Sequence, residues 1–147
     1  MYDDLIQLIE RSKTAFPKFG NGVSHAAILG AEKALGFPLP ESYKWWLLNY
    51  GGGQLKGDIV YGIDEPDMGR PDVVKLARIN ELDALYDDDR LVFSIADAEN
   101  FYFDTAELRN GEYPVFMHDI TQNNVILYAG SFSEFLRKRI HELFGIA

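Results

Sequence analysis

The chain of 147 residues contains no cysteine. That absence removes disulfides, thiolate nucleophiles and cysteine metal sites together, and it fits a reducing compartment. No apolar run approaches the length of a membrane span, and the opening Met1-Tyr2-Asp3-Asp4-Leu5-Ile6 has acids where a secretory signal needs positive charge. We therefore expect a cytoplasmic protein with no membrane association. Histidine is scarce: His25, His118 and His141 are the only side chains that titrate near neutrality without a perturbed environment. With no repeat, low-complexity tract or linker, residues 1–147 read as one domain.

What is present is a core and an uneven charge. At 47% hydrophobic and 14% aromatic, the composition is ample for a single core. The formal charge is −9, but residues 58–119 carry 16 acidic against 5 basic side chains, so the remainder is slightly positive. A negative field of this kind repels phosphate backbones, which argues against direct nucleic-acid binding, and it attracts a basic partner. The same acids also keep a protein soluble.

The segment from Ala31 to Gly53 encodes two helices and their ends. Leu35 closes the first, Gly36 can take the left-handed conformation that stops it, and Pro38 forbids continuation. Pro40 suits the first position of the next helix, where a missing N–H costs nothing. In that helix Tyr43, Trp46, Leu47 and Tyr50 fall at i, i+3, i+4 and i+7, while Trp45 and Leu48 cover the adjoining face, so it must be buried. Trp46 is assigned to the core. Gly51, Gly52 and Gly53 then read as a helix stop and a close chain crossing.

Elsewhere Tyr2, Leu5, Ile6 and Ile9 mark a first amphipathic helix, and Ser24 caps a second with Ala27, Ile28, Ala31, Ala34 and Leu35 along its stripe. Gln54 to Ile63 reads as a hairpin pivoting near Gly57, and residues 73–86 as a helix. From Leu91 the period shifts toward two, giving strands at 91–95, 100–104, 114–118 and 124–129, with Asn110-Gly111 as a tight-turn signal. Ser131 and Glu134 have capping-box spacing before a final helix whose apolar face includes Phe132, Phe135, Leu136 and Ile140. These elements predict an α+β domain with helices packed on an antiparallel sheet of about five to six strands.

The Leu35-Gly36 stop, the Leu39-Pro40 restart, the Tyr43–Leu48 aromatic helix and the glycine run resemble the SUKH superfamily. That group includes Smi/Knr-type fungal cell-wall regulators and bacterial toxin-immunity proteins. Phe101-Tyr102-Phe103-Asp104-Thr105 resembles its aromatic strand ending in an Asp-Thr turn, Pro114-Val115 the start of its next strand, and Ser131-Phe132-Ser133-Glu134-Phe135-Leu136 its final-helix motif. One departure is that Tyr50 separates Asn49 from Gly51, where many members place asparagine directly before two glycines. The resemblance implies binding rather than chemistry, with toxin neutralisation as the leading function and a regulatory protein-binding scaffold as the alternative.

Motifs for chemistry fail on inspection. His141-Glu142 opens a zinc-helix pattern, but Gly145 stands where the second histidine is needed. His118 and Asp119 leave a strand from opposite faces, so His118 reads as a solvent-facing strand-end residue. In Gly51–Gly57 the lysine, Lys56, precedes a glycine and a strand rather than opening a helix, which excludes a phosphate loop. Asp87-Asp88-Asp89 lacks the spacing and central glycine of a calcium loop. Arg137, Lys138 and Arg139 complement a helix C-terminus and are too few for a nucleic-acid footprint. No enzyme activity, cofactor or metal is expected. A basic toxin, most simply a nuclease, is expected to meet Asp64, Glu65, Asp67 and Asp72 in one loop and Asp87, Asp88 and Asp89 in another. Tyr61, Tyr86 and Tyr113 are the candidate aromatic anchors. None of these motifs specifies an oligomeric state.

Overall fold

A computed structural model of the chain describes residues 2–12, 17–65, 68–83 and 86–145. The elements run α1 (Asp3–Ser12), β1 (Pro17–Phe19), α2 (His25–Leu35), α3 (Glu41–Asn49), β2 (Gly53–Leu55), β3 (Asp58–Val60), α4 (Val73–Asp83), β4 (Arg90–Ile95), β5 (Glu99–Asp104), β6 (Val115–Asp119), β7 (Asn124–Ala129) and α5 (Phe132–Phe144). The strands form one sheet in sequence order, every neighbour antiparallel. The α+β expectation holds. The sheet has seven strands instead of five to six, because three-residue β1 adds itself beside β2.

Local chemistry sets most of the boundaries. Ser24 accepts the Ala27 N–H at 3.1 Å, and Gly36 ends α2 at φ 86°. Pro40 is one position earlier than expected: it is the N-cap of α3 with extended ψ of 146°, and the neighbouring Glu41 N–H donates to Gly111 O at 2.8 Å. The proline preorganises that cap while the orphaned donor next to it finds an acceptor 70 residues on. At α5 the Ser131 hydroxyl accepts the Glu134 N–H, but the Glu134 carboxylate reaches Gly130 N–H at 2.9 Å rather than closing the box on Ser131. Asn110 and Gly111, at φ 52° and 78°, form the two-residue turn joined by paired bonds between Arg109 and Glu112.

Helices α3 and α5 bury their apolar stripes against one face of the sheet, and α1 packs Leu5 and Ile9 onto α5. Tyr43, Trp46 and Leu47 of α3 and Phe132, Phe135, Leu136 and Ile140 of α5 are fully buried with Phe93, Phe101 and Phe103. The rings are interlocked: Tyr43 meets Phe132 at 5.0 Å and Phe93 stacks on Phe103 at 4.1 Å. Truncating any one large ring here would cost about 3–5 kcal/mol. Two expectations for stripes were too broad, since Ile6 and Ala34 are exposed. Arg139 on α5 is buried beneath this layer, paired with Asp58 at 2.7 Å and lying over the Phe101 ring.

The triple glycine makes the crossing that the sequence suggested. Gly51 and Gly52 have φ of 73° and 133°, and a Cβ on Gly22, Gly51 or Gly62 would lie inside neighbouring backbone. The carbonyl of Gly51 accepts from Ile63 N–H at 3.1 Å, and Gly62 O accepts from Val73 N–H at 2.8 Å. The crossing therefore fixes where the chain departs into the 64–72 loop and how α4 begins.

Candidate functional site

The acidic residues separate into two groups at opposite ends of α4. That helix has 11 residues and so spans roughly 16 Å, which means the two expected loops do not form one contiguous patch.

In the first group, the carboxylates are spent on architecture. Asp64 is 9% exposed, contrary to its expected role as a surface contact. Its oxygens accept the N–H groups of Met68 and Gly69 at 2.8–3.1 Å, and Lys75 lies 3.5 Å away. Asp72 accepts from Asp64 N–H and then from Val74 and Lys75 N–H, capping α4. Glu65 is exposed, but it grips Ser24 through both backbone N–H and hydroxyl. The hydrogen bond from the Ser24 N–H, with the hydroxyl's behind it, holds the Glu65 carboxyl below its usual range. Asp67 lies outside the described residues.

In the second group, Asp87, Asp88 and Asp89 are all exposed, and among the described residues no ion pair engages their carboxylates. Only their backbone is tied down: Asp87 O accepts from Arg90 N–H, and Asp89 O accepts from Thr105 N–H at 2.8 Å. Directly beside this tip is a groove of about 470 Å³ between the end of α2, α4 and β4. Leu35, Phe37, Leu76 and Ala77 supply apolar walls, with Asp88 and Arg90 also lining it. The sequence reading did not find this groove. Leu35 and Phe37 signalled only a helix end, and their approach to Leu76 depends on how α2 meets α4.

The three tyrosine anchors have different fates. Tyr113 is 1% exposed and donates to Pro38 O at 2.7 Å, so it braces the chain ahead of α3 and is unavailable as an anchor. Tyr61 is half-buried, its carbonyl accepting from the Tyr43 hydroxyl at 2.6 Å. Burial raises its phenol above the ordinary value. Tyr86, next to the acidic tip, rivets that tip to the far face of the sheet. Asn100 Nδ2 donates to its hydroxyl at 2.9 Å, and the hydroxyl shares a hydrogen bond with His118 Nδ1 at 2.8 Å. His118 Nε2 faces Asn123 Oδ1 at 3.1 Å. His118 is thus half-buried within a network, not a free strand-end residue.

Among the described residues no acid is bonded to that imidazole. Asp119 accepts from Gln122 N–H, and Asp104 accepts from Ala106 N–H, which makes the expected Asp-Thr turn. Among the described residues no group of three or more His, Cys, Asp or Glu side chains could hold a metal ion, and no helix is long and apolar enough to cross a membrane. Trp45 is half-buried and stacks on Tyr2 at 4.5 Å. His25 is exposed, and His141 is exposed on α5.

The architecture, an antiparallel sheet with an aromatic core and an acidic tip beside an apolar groove, is that of a small α+β domain. The chain matches the SMI1 / KNR4 family (SUKH-1) over residues 22–138, more than half its length, and it belongs to that family. Members are generally non-enzymatic, and membership supports a general immunity or regulatory role through protein–protein contact. A solved structure described as a crystal structure of a protein from Pseudomonas syringae pv. tomato has the same fold. It matches at a TM-score of 0.64 and 12% identity, covering 90% of this chain and 95% of that one.

Proposed function

We propose that this chain is an immunity protein that binds and neutralises a cognate basic toxin domain in the cytoplasm, most simply a nuclease. The observation that carries the reading is the Asp87-Asp88-Asp89 tip, exposed beside an apolar groove. A nuclease must be basic around its substrate channel, so an anionic tip steers encounter and blocks the channel, while the groove accepts an apolar anchor. Asp64, Asp72 and Tyr113 drop out of the contact set because their polar atoms are engaged internally. Glu65 and Tyr61 remain at its margin.

The test is co-purification with the product of the adjacent reading frame, followed by titration of Asp87→Lys/Asp88→Lys/Asp89→Lys against it. The reading expects capture by the wild type, and affinity lower by roughly tenfold or more in the variant at low salt, with the difference shrinking as salt rises. Equal capture by both would remove the tip from the interface. An adjacent frame lacking any toxin-like domain would favour the regulatory scaffold instead.

A further inference from the structure

The two edges of the sheet are unlike. β1 is three residues long and opens with a proline that offers no N–H, so it presents little to pair with. β7 is six residues long, reads Asn-Val-Ile-Leu-Tyr-Ala and contains no charge. Its Val125, Ile126 and Leu127 are 44%, 46% and 62% exposed. An unpaired, uncharged, apolar edge is a template for another strand, and natural proteins cover or charge such edges. Among the described residues only one end is covered. Tyr128 and Ala129 are buried, and Lys138 of α5 donates to Tyr128 O at 3.2 Å while lying over its ring. The stretch 124–127 is left open.

The apolar surface continues inward from that edge. Leu127 pairs with Phe116, which stacks on Tyr102, so a row of apolar side chains crosses the face of the sheet opposite the main core. We propose that β7 pairs antiparallel with β7 of a second copy of this chain about a two-fold axis near Ile126, joining two sheets into one. This assignment is independent of the toxin-binding reading.

A second copy fits better than a basic partner because of where the charges are. β7 itself has no acid to attract a cation, and its lack of charge spares two copies the repulsion that −9 per chain would otherwise cause at the seam. The ends of β7 differ: Asp119 is paired with Asn124 at the start, whereas at Tyr128 near the finish Lys138 meets the carbonyl and Glu142 the hydroxyl. By strand alternation Asp119 shares the core side with Met117, the side on which α5 and Lys138 lie. Antiparallel pairing brings Lys138 of each copy toward the partner's Asp119 on one side of the joined sheet.

Sedimentation of the full chain tests the pairing, with Leu127→Lys and Val125→Lys as variants. Both positions are exposed, so the variants should fold with unchanged circular dichroism. The wild type should sediment as a dimer, and each variant should raise the dimer dissociation constant at least about tenfold. Because the chain has no cysteine, a single introduced thiol gives a second readout. Ile126→Cys, next to the axis, should form an interchain disulfide much faster than Leu108→Cys, which is 50% exposed in the connection between β5 and β6 and outside the proposed seam. A monomeric wild type, dimers that survive Leu127→Lys, or equal crosslinking at the two positions would each overturn the proposal.

Discussion

The 64–72 loop and the 87–89 tip are built from the same residue type at the two ends of α4, and they use their carboxylates in opposite ways. In the loop, each described acid accepts hydrogen bonds from backbone N–H groups: Asp64 closes the turn, Asp72 starts α4, and Glu65 ties the loop to Ser24. In the tip only the backbone is engaged, and three like charges are held next to one another in water. That arrangement stores repulsion which a cationic partner would relieve. Acid count therefore does not define a binding surface; the destination of each lone pair does.

The largest effect that could break this contrast is Asp64→Ala. With the Met68 and Gly69 N–H groups deprived of their acceptor, urea denaturation should show a loss of about 2 kcal/mol. A fully stable variant with reduced toxin capture would invert the assignment. Asp72→Ala should cost about 1 kcal/mol through loss of the α4 cap, read the same way.

Glu65 sharpens the contrast through pH. Its folded carboxyl titrates below its ordinary value of 4.5 because Ser24 stabilises the charged form. Its contribution is present above the unfolded value and lost as pH falls through the folded one. Glu65→Gln should therefore lower the neutral plateau and leave stability at acid pH, where the carboxyl is already protonated, nearly unchanged, so that the acid limb flattens. The smallest stability effect belongs to the tip. Asp87→Ser/Asp88→Ser/Asp89→Ser should stay within about 0.5 kcal/mol of wild type while weakening capture of a basic partner.

What could be read from the sequence was what is decided locally. Gly36, Ser24 and the Asn110-Gly111 turn act through bonds a few residues away, and all are where their spacing implied. The helical stripe of α3 was equally readable, because its periodicity states its burial. Roles decided by tertiary approach were not. Tyr113 looks like any exposed tyrosine until Pro38, 75 positions distant, is found against its hydroxyl. Asp64 resembles Asp88 in the sequence, and only the fold of the 64–72 loop makes one buried and the other exposed. For β7 the strand was evident, but its place at the edge depends on the order of all seven strands. The unbroken Val125-Ile126-Leu127 run, where alternation would be expected of a half-solvated strand, was the available signal.

The glycine joint sets a boundary on how such a domain can diversify. With main chain packed against main chain at Gly22, Gly51 and Gly62, no side chain can be introduced there without prising the strands and α3 apart. The joint works like a mortise, rigid and intolerant of variation. Variation that preserves this frame is confined to surfaces such as the tip, the groove and the open edge, and excluded from the joint that fixes where they stand.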